Sequence, residues 1–357
     1  MPGLNIYSYR SVSCFAPAPR GASAALGTFG IVGPLQQDKL AVQENRMRCM
    51  STPAVHLRLF YLCFLTLTLV CGSSCLRAQM IAVRVDPHQT DPAIETVHGP
   101  HLAMYDPTVP SRHRLLLFIA GTHAKATSSL PIDKVFSQWG YHTVSLDYEN
   151  NVVAASLGND LNPAAFGNYR EAIVTGAPVS RRIQVDSANS ILNRFQKLLT
   201  YLVIHDPGGH WDEFLSHGRP DWSRIVVAGH SQGSGHAAYI GQMFRVDRVL
   251  MFSGPQDYMD GLHRPAAWLK RPSATPPSRY FAFLNLQDPF NVHHQIANCM
   301  TLMHMSKLRV KMVYPGEMIR GNYRILINDI PTEAHHNSTL FPQFQNVWKY
   351  MAIGRVD

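Results

Sequence analysis

Residues 223–241 read SRIVVAGHSQGSGHAAYIG, and no other stretch restricts the possible folds as strongly. Arg224 to Ala228 is a branched apolar run suited to a buried strand, while Gly235 to Met243 is a run of mostly small and apolar residues suited to a helix. Between them lies Gly229-His230-Ser231-Gln232-Gly233. A direct strand-to-helix turn crowds the backbone, and glycine two positions either side of the serine tolerates that crowding because it carries no Cβ. The pattern G-x-S-x-G in this context predicts a nucleophile elbow that lifts Ser231 above the end of a sheet.

From about Met80 onward the chain alternates strand and helix signals. RLLLFIAG (114–121) and YHTVSLDY (141–148) read as strands, with PIDKVFSQWG (131–140) as a helix between them. In 185–206, Ile191, Leu192, Phe195, Leu198, Leu199 and Leu202 recur at helical spacing. The segments 248–254, 279–288, 309–314 and 324–329 supply further strands, and 331–351 ends in an amphipathic helix. Apolar strands separated by helices predict an α/β protein whose mainly parallel central sheet is covered on both faces. The stretches 150–178 and 255–277 are rich in proline and glycine and read as irregular loops that hold substrate contacts.

Serine needs a base to remove its proton and an acid to orient that base. Asp288, directly after the strand in RYFAFLNLQDPFN, is the preferred acid, and Asp257 in LMFSGPQDYMD is its rival. The base is expected in the loop after the last strand, where His335 and His336 are adjacent and only one can point at Ser231. An oxyanion hole needs two backbone N–H groups. Gln232 follows the nucleophile at a helix start, and Thr122 follows an early strand, with His123 as its alternative. Neighbouring histidines rarely converge on one ion, and no cysteine or carboxylate set joins them, so the reading calls for no metal and no organic cofactor.

These residues resemble the α/β-hydrolase superfamily. GHSQGSGHAAYI, LQDPFN and HHNSTLFPQFQNVWKYM are similar to the corresponding segments of a branch of secreted bacterial serine hydrolases of esterase and lipase type. The resemblance covers roughly residues 80–355. It implies a Ser231-Asp288-His336 triad cleaving a carboxylic ester or related acyl bond, because the histidine directly before Asn337-Ser338-Thr339 is the one matched. The substrate would be a small molecule, or a lipid or polyester. A catalytically silent binding protein on the same fold is the alternative, since fold does not fix function.

The net charge of +8 is concentrated at the beginning of the chain. Residues 1–77 hold seven Lys/Arg against two acids, leaving 25 against 22 for the rest. That near balance gives no basis for expecting a nucleic-acid partner. Five of the six cysteines also precede residue 78; Cys299 alone follows, in an apolar helical run that marks it as a small core residue. Residues 1–49 read as a disordered or mis-called extension. Residues 50–78 combine Arg58, an apolar run from Leu59 to Cys71 and a small-residue zone, the layout of a signal peptide beginning at Met50. The apolar run is shorter than the ~20 residues of a spanning helix. The expected organisation is therefore extension, export segment and catalytic domain 79–357, with a secreted or periplasmic product that keeps no stable membrane span and an oligomeric state the sequence leaves open. Intact-mass analysis of the exported protein should find an N-terminus near Ala78; a mature terminus well upstream of Leu59 would exclude an export signal.

Overall fold

The computed structural model describes residues 80–356. The extension 1–49 and the export segment 50–78 lie outside the described residues. Nine strands form the main sheet: β1 (Ile81–Val85), β2 (His101–Tyr105), β3 (Leu115–Ile119), β4 (His142–Leu146), β5 (Ile225–His230), β6 (Arg248–Phe252), β7 (Tyr280–Asn285), β8 (Val310–Met312) and β9 (Ile325–Asn328). Their spatial order is β1-β2-β4-β3-β5-β6-β7-β9-β8. β2 pairs antiparallel with both β1 and β4, and every pairing from β4 to β8 is parallel. A mostly parallel sheet in this order, with helices on both faces and the Ser231 turn leaving β5 at its centre, is the α/β-hydrolase fold.

Strand alternation divides the core into two layers. Leu115, Leu117, Ile119, Ile225 and Val227 face one side, where α2 (Ala165–Thr175), α3 (Ile191–His205), α4 (Gln232–Met243) and α5 (Val292–Leu302) cover them. Leu116, Phe118, Val226, Ala228, Leu250, Phe252, Phe281 and Phe283 face the other side, against α1 (Leu130–Gln138) and α6 (Gln345–Ile353). Both faces of these strands are buried, which is why they read as continuous apolar runs. In α3, Ile191, Phe195, Leu198, Leu199 and Leu202 are fully buried, each contributing roughly 1.5–3 kcal/mol. The Ser190 side chain caps that helix by accepting from the Asn193 N–H. Cys299 is also fully buried, and burial pushes its thiol pKa up.

Three elements depart from the expectation. The stretch 150–178 is not irregular throughout, because α2 occupies its second half. Phe166, Tyr169 and Ile173 lie on its buried face, and Gly176 ends it in the left-handed conformation at φ 81°. α4 begins at Gln232, immediately after the serine, rather than at Gly235. β8 and β9 are parallel although residues 313–324 between them contain no helix. That connection is about the dozen residues a parallel crossover needs.

Beneath the sheet, Asp133 of α1 is completely buried among hydroxyls. Its carboxylate accepts from Ser129 at 2.7 Å and from Ser145 at 3.0 Å. Burial raises its pKa from 3.8 to about 7, against the hydrogen bonds from Ser129 and Ser145 that lower it. The folded chain therefore keeps a proton that the unfolded chain releases near pH 4. Stability from this group is present below that pH and is lost as pH rises towards 7. Asp133→Asn should flatten this slope, so that urea midpoints measured at pH 5 and pH 8 differ less than in the unsubstituted protein. The difference removed should be on the order of a few kcal/mol.

Candidate active site

Ser231 adopts φ 56° and ψ −122°, a backbone region that residues other than glycine rarely occupy. Its N–H donates to the Phe252 carbonyl at 2.8 Å, which ties the turn to the end of β6. Its own carbonyl accepts from the Ser234 N–H and from Ser234 Oγ. A Cβ on Gly229 would strike the Gly233 backbone, and a Cβ on Gly233 would strike the carbonyls of Ile119 and Ala120. Neither backbone can move without disrupting the sheet, so both glycines follow from close approach.

His336 lies in the 3-10 turn His335–Leu340 that follows β9. Its Nδ1 is 2.8 Å from Asp288 Oδ2. The Asp288 side chain is fully buried, and its Oδ1 accepts from the Phe290 N–H at 2.9 Å. Burial pushes the Asp288 pKa up, but the hydrogen bond and charge of His336, with the Phe290 bond, bring it below the usual carboxylate value. Asp288 thus stays ionised opposite the imidazole. The His336 carbonyl is gripped by two donors, Ser253 Oγ at 2.6 Å and His230 Nε2 at 3.0 Å. His230 can serve as a neutral donor because burial, then the neighbouring His336, lower its pKa to about 4.

Ser231 and His336 line one cavity of about 520 Å³, together with Thr122, His123, Val153, Gln256, Phe290 and Asn337. His336 Nε2 is buried and has no hydrogen-bond partner among the described residues. Ser231 Oγ accepts a hydrogen bond from Gln256 Nε2 at 3.3 Å. The serine and histidine are therefore not hydrogen-bonded to each other.

The loop after β3 brings Thr122 to the same cavity. Thr122 Oγ1 donates to Gln232 Oε1 at 2.8 Å, linking the two segments whose amides are expected to bind an oxyanion. Asn150 Nδ2 donates to the carbonyls of Gly121 and Ala124, and Tyr148 donates to Ala120. Together these bonds fix the loop. The Gln232 amide lies at the first position of α4, where a backbone N–H lacks an intrahelical acceptor.

The remaining candidates are placed elsewhere. His335 makes no bond to Asp288; its carbonyl accepts from Ser338 Oγ. Asp257 is buried behind the elbow, where its two oxygens accept from Arg170 Nε and Nη2 and from Trp268 Nε1. Arg170 also donates from Nη1 to the Gln232 carbonyl at 2.7 Å. This arrangement fills the hydrogen-bonding capacity of Asp257 with a guanidinium and an indole rather than an imidazole. Sequence reasoning missed Arg170, Asn150, Ser253 and Gln256. Only Gln256, beside Asp257 in the loop after β6, carried a positional signal. Among the described residues, no group of three or more His, Cys, Asp or Glu is arranged to hold a metal ion, and no helix is long and apolar enough to cross a membrane.

No protein-family model and no curated protein sequence matches the chain. Among solved structures, it is similar to a bacterial heroin esterase at 12% identity, with 84% of this chain and 90% of that chain covered and a TM-score of 0.38. It is also similar to a chain provisionally named dienelactone hydrolase from Klebsiella pneumoniae subsp. pneumoniae. There the identity is 10%, the coverage 77% of this chain and 99% of that chain, and the TM-score 0.39.

The buried Arg170–Asp257 pair allows a direct test of what braces the elbow. Arg170→Met leaves the Asp257 carboxylate buried without its charge partner and should destabilise by about 3–5 kcal/mol in urea unfolding. Adding Asp257→Leu removes that orphan charge and should recover part of the loss. A single variant as stable as the parent would show that the pair does not brace the turn.

Proposed function

We propose that the chain is a serine hydrolase that cleaves a carboxylic ester, or a related acyl bond, through an acyl-enzyme intermediate. One observation carries this reading. A strained-turn serine shares a cavity with a histidine whose Nδ1 is bound to a buried carboxylate and whose Nε2 is unpartnered.

In this reading Ser231 Oγ leaves Gln256, turns to His336 Nε2 and attacks the acyl carbon as the imidazole takes its proton. Asp288 accepts the Nδ1–H, which fixes the tautomer and stabilises the imidazolium that forms. The oxyanion is held by the backbone N–H groups of Gln232 and Thr122, with the start of α4 adding a favourable dipole. Collapse expels the leaving alcohol, which takes the proton back from His336. Water, activated by the same imidazole, then releases the acid and restores Ser231. No step calls on a metal or an organic cofactor.

The cavity supports a small-molecule ester that carries both polar and apolar groups, because Thr122, His123, Gln256 and Asn337 line it together with Val153 and Phe290. The signal-peptide pattern of residues 50–78 supports a place of action outside the cytoplasm.

A fluorophosphonate probe should label the protein, and Ser231→Ala should abolish labelling. Ser231→Ala and His336→Ala should each lower kcat on p-nitrophenyl esters by on the order of 10⁴–10⁶, with little further loss on combination. His335→Ala should lose far less. Full turnover in His336→Ala would remove the triad assignment, and full labelling of Ser231→Ala would remove the serine mechanism.

A further inference from the structure

Gln256 is a buried side chain whose position the triad does not explain. It follows β6, and the order of strands across the site is β3, β5, β6, β7, β9. Thr122 and Gln256 therefore reach Ser231 from the strands on opposite sides of β5. Thr122 belongs to the oxyanion side. Gln256 faces the nucleophile from the other, and its Nε2–H donates to Ser231 Oγ.

That hydrogen bond weakens in the catalysis proposed above, because Oγ becomes the bridging oxygen of the acyl ester, a poor acceptor. A buried donor stripped of its acceptor is costly, so a substrate oxygen that replaces Oγ is favoured. The leaving group departs beside His336, where Phe290 packs on the imidazole at 4.6 Å and is 42% exposed at the rim. The acyl group stays attached to Ser231 Oγ, which lies 3.3 Å from Gln256 Nε2.

Resting on the serine-hydrolase reading, we propose that Gln256 is a specificity residue that passes its Nε2–H from Ser231 Oγ to an oxygen on the substrate's acyl group. The preferred substrates are then short esters whose acyl chain carries an ether, hydroxyl or carbonyl oxygen close to the scissile carbon. A plain alkyl chain leaves the Gln256 donor unpaired, and a site built around a donor rejects groups that cannot satisfy it.

The experiment compares p-nitrophenyl methoxyacetate with p-nitrophenyl butyrate, whose acyl groups differ by one oxygen in place of a methylene. For the full chain, kcat/KM on each ester is divided by that ester's rate constant with hydroxide, which removes their difference in intrinsic reactivity. The normalised ratio should favour methoxyacetate by about tenfold, the worth of one neutral hydrogen bond. Gln256→Leu, which has no donor, and Gln256→Glu, which presents acceptors, should each bring that ratio down about tenfold. A parent ratio at or below unity overturns the proposal whether or not the variants fold. So does an equal loss on both esters, which would mark Gln256 as support for Ser231 alone. If hydrolysis of both esters persists in Ser231→Ala, the serine mechanism itself fails and this inference falls with it. Serine-dependent hydrolysis without the preference overturns this inference alone.

Discussion

The conformation of Ser231 is the constraint on which the rest of the site depends. A positive φ at a residue with a side chain costs on the order of 1–3 kcal/mol, and it persists only where the surroundings leave no alternative. Here the surroundings are the ends of three strands. The Ser231 N–H is bound to β6, Gly233 is pressed against the last carbonyls of β3, and Gly229 closes the other side of the turn. The strain places Oγ at the carboxyl end of the sheet instead of within α4. It also places the Gln232 N–H at the first turn of the helix.

Around that turn, the site is held largely through backbone carbonyls. Ser253 and a neutral His230 hold the carbonyl of His336, Asn150 holds those of Gly121 and Ala124, and Arg170 holds that of Gln232. Such bonds fix the position of a chain segment without engaging its side chain. They lie where water is largely excluded, so each donor is costly to leave unpaired and the geometry is correspondingly rigid. The two aspartates that end neighbouring strands illustrate the effect of environment. Asp257 is enclosed by a guanidinium and an indole, and Asp288 by an imidazole and a loop amide.

The layered architecture was legible because each central strand is buried on both faces, which imposes long apolar runs, and because α3 carries a clear helical period. α2 was less legible, since Gly167 and its flanking prolines resemble loop composition although Phe166, Tyr169 and Ile173 bury one face. The first two strands, β1 and β2, escaped notice, and the helix-free crossover between β8 and β9 leaves no periodic signature at all. At the candidate site, the Ser231 turn was legible from the glycine spacing, and the position of Asp288 from its place after a strand. The supporting residues were not. Arg170, Asn150 and Ser253 act on carbonyls far away in sequence, and nothing in their local composition distinguishes them from ordinary polar residues.

The sequence by itself determined that strands and helices would alternate, and that one serine would occupy a turn only glycine neighbours permit. Those properties are local: they depend on side-chain period and on the room a backbone leaves for a Cβ. Tertiary structure decided which side chains meet: His336 is bound to Asp288, whereas His335 is not, and Asp257 is enclosed by Arg170 and Trp268. Adjacent or similarly placed side chains differ only in direction, and direction is fixed by what grips the backbone from distant strands. His336 meets Asp288 because Ser253 and His230, from two other strand ends, hold its carbonyl in place.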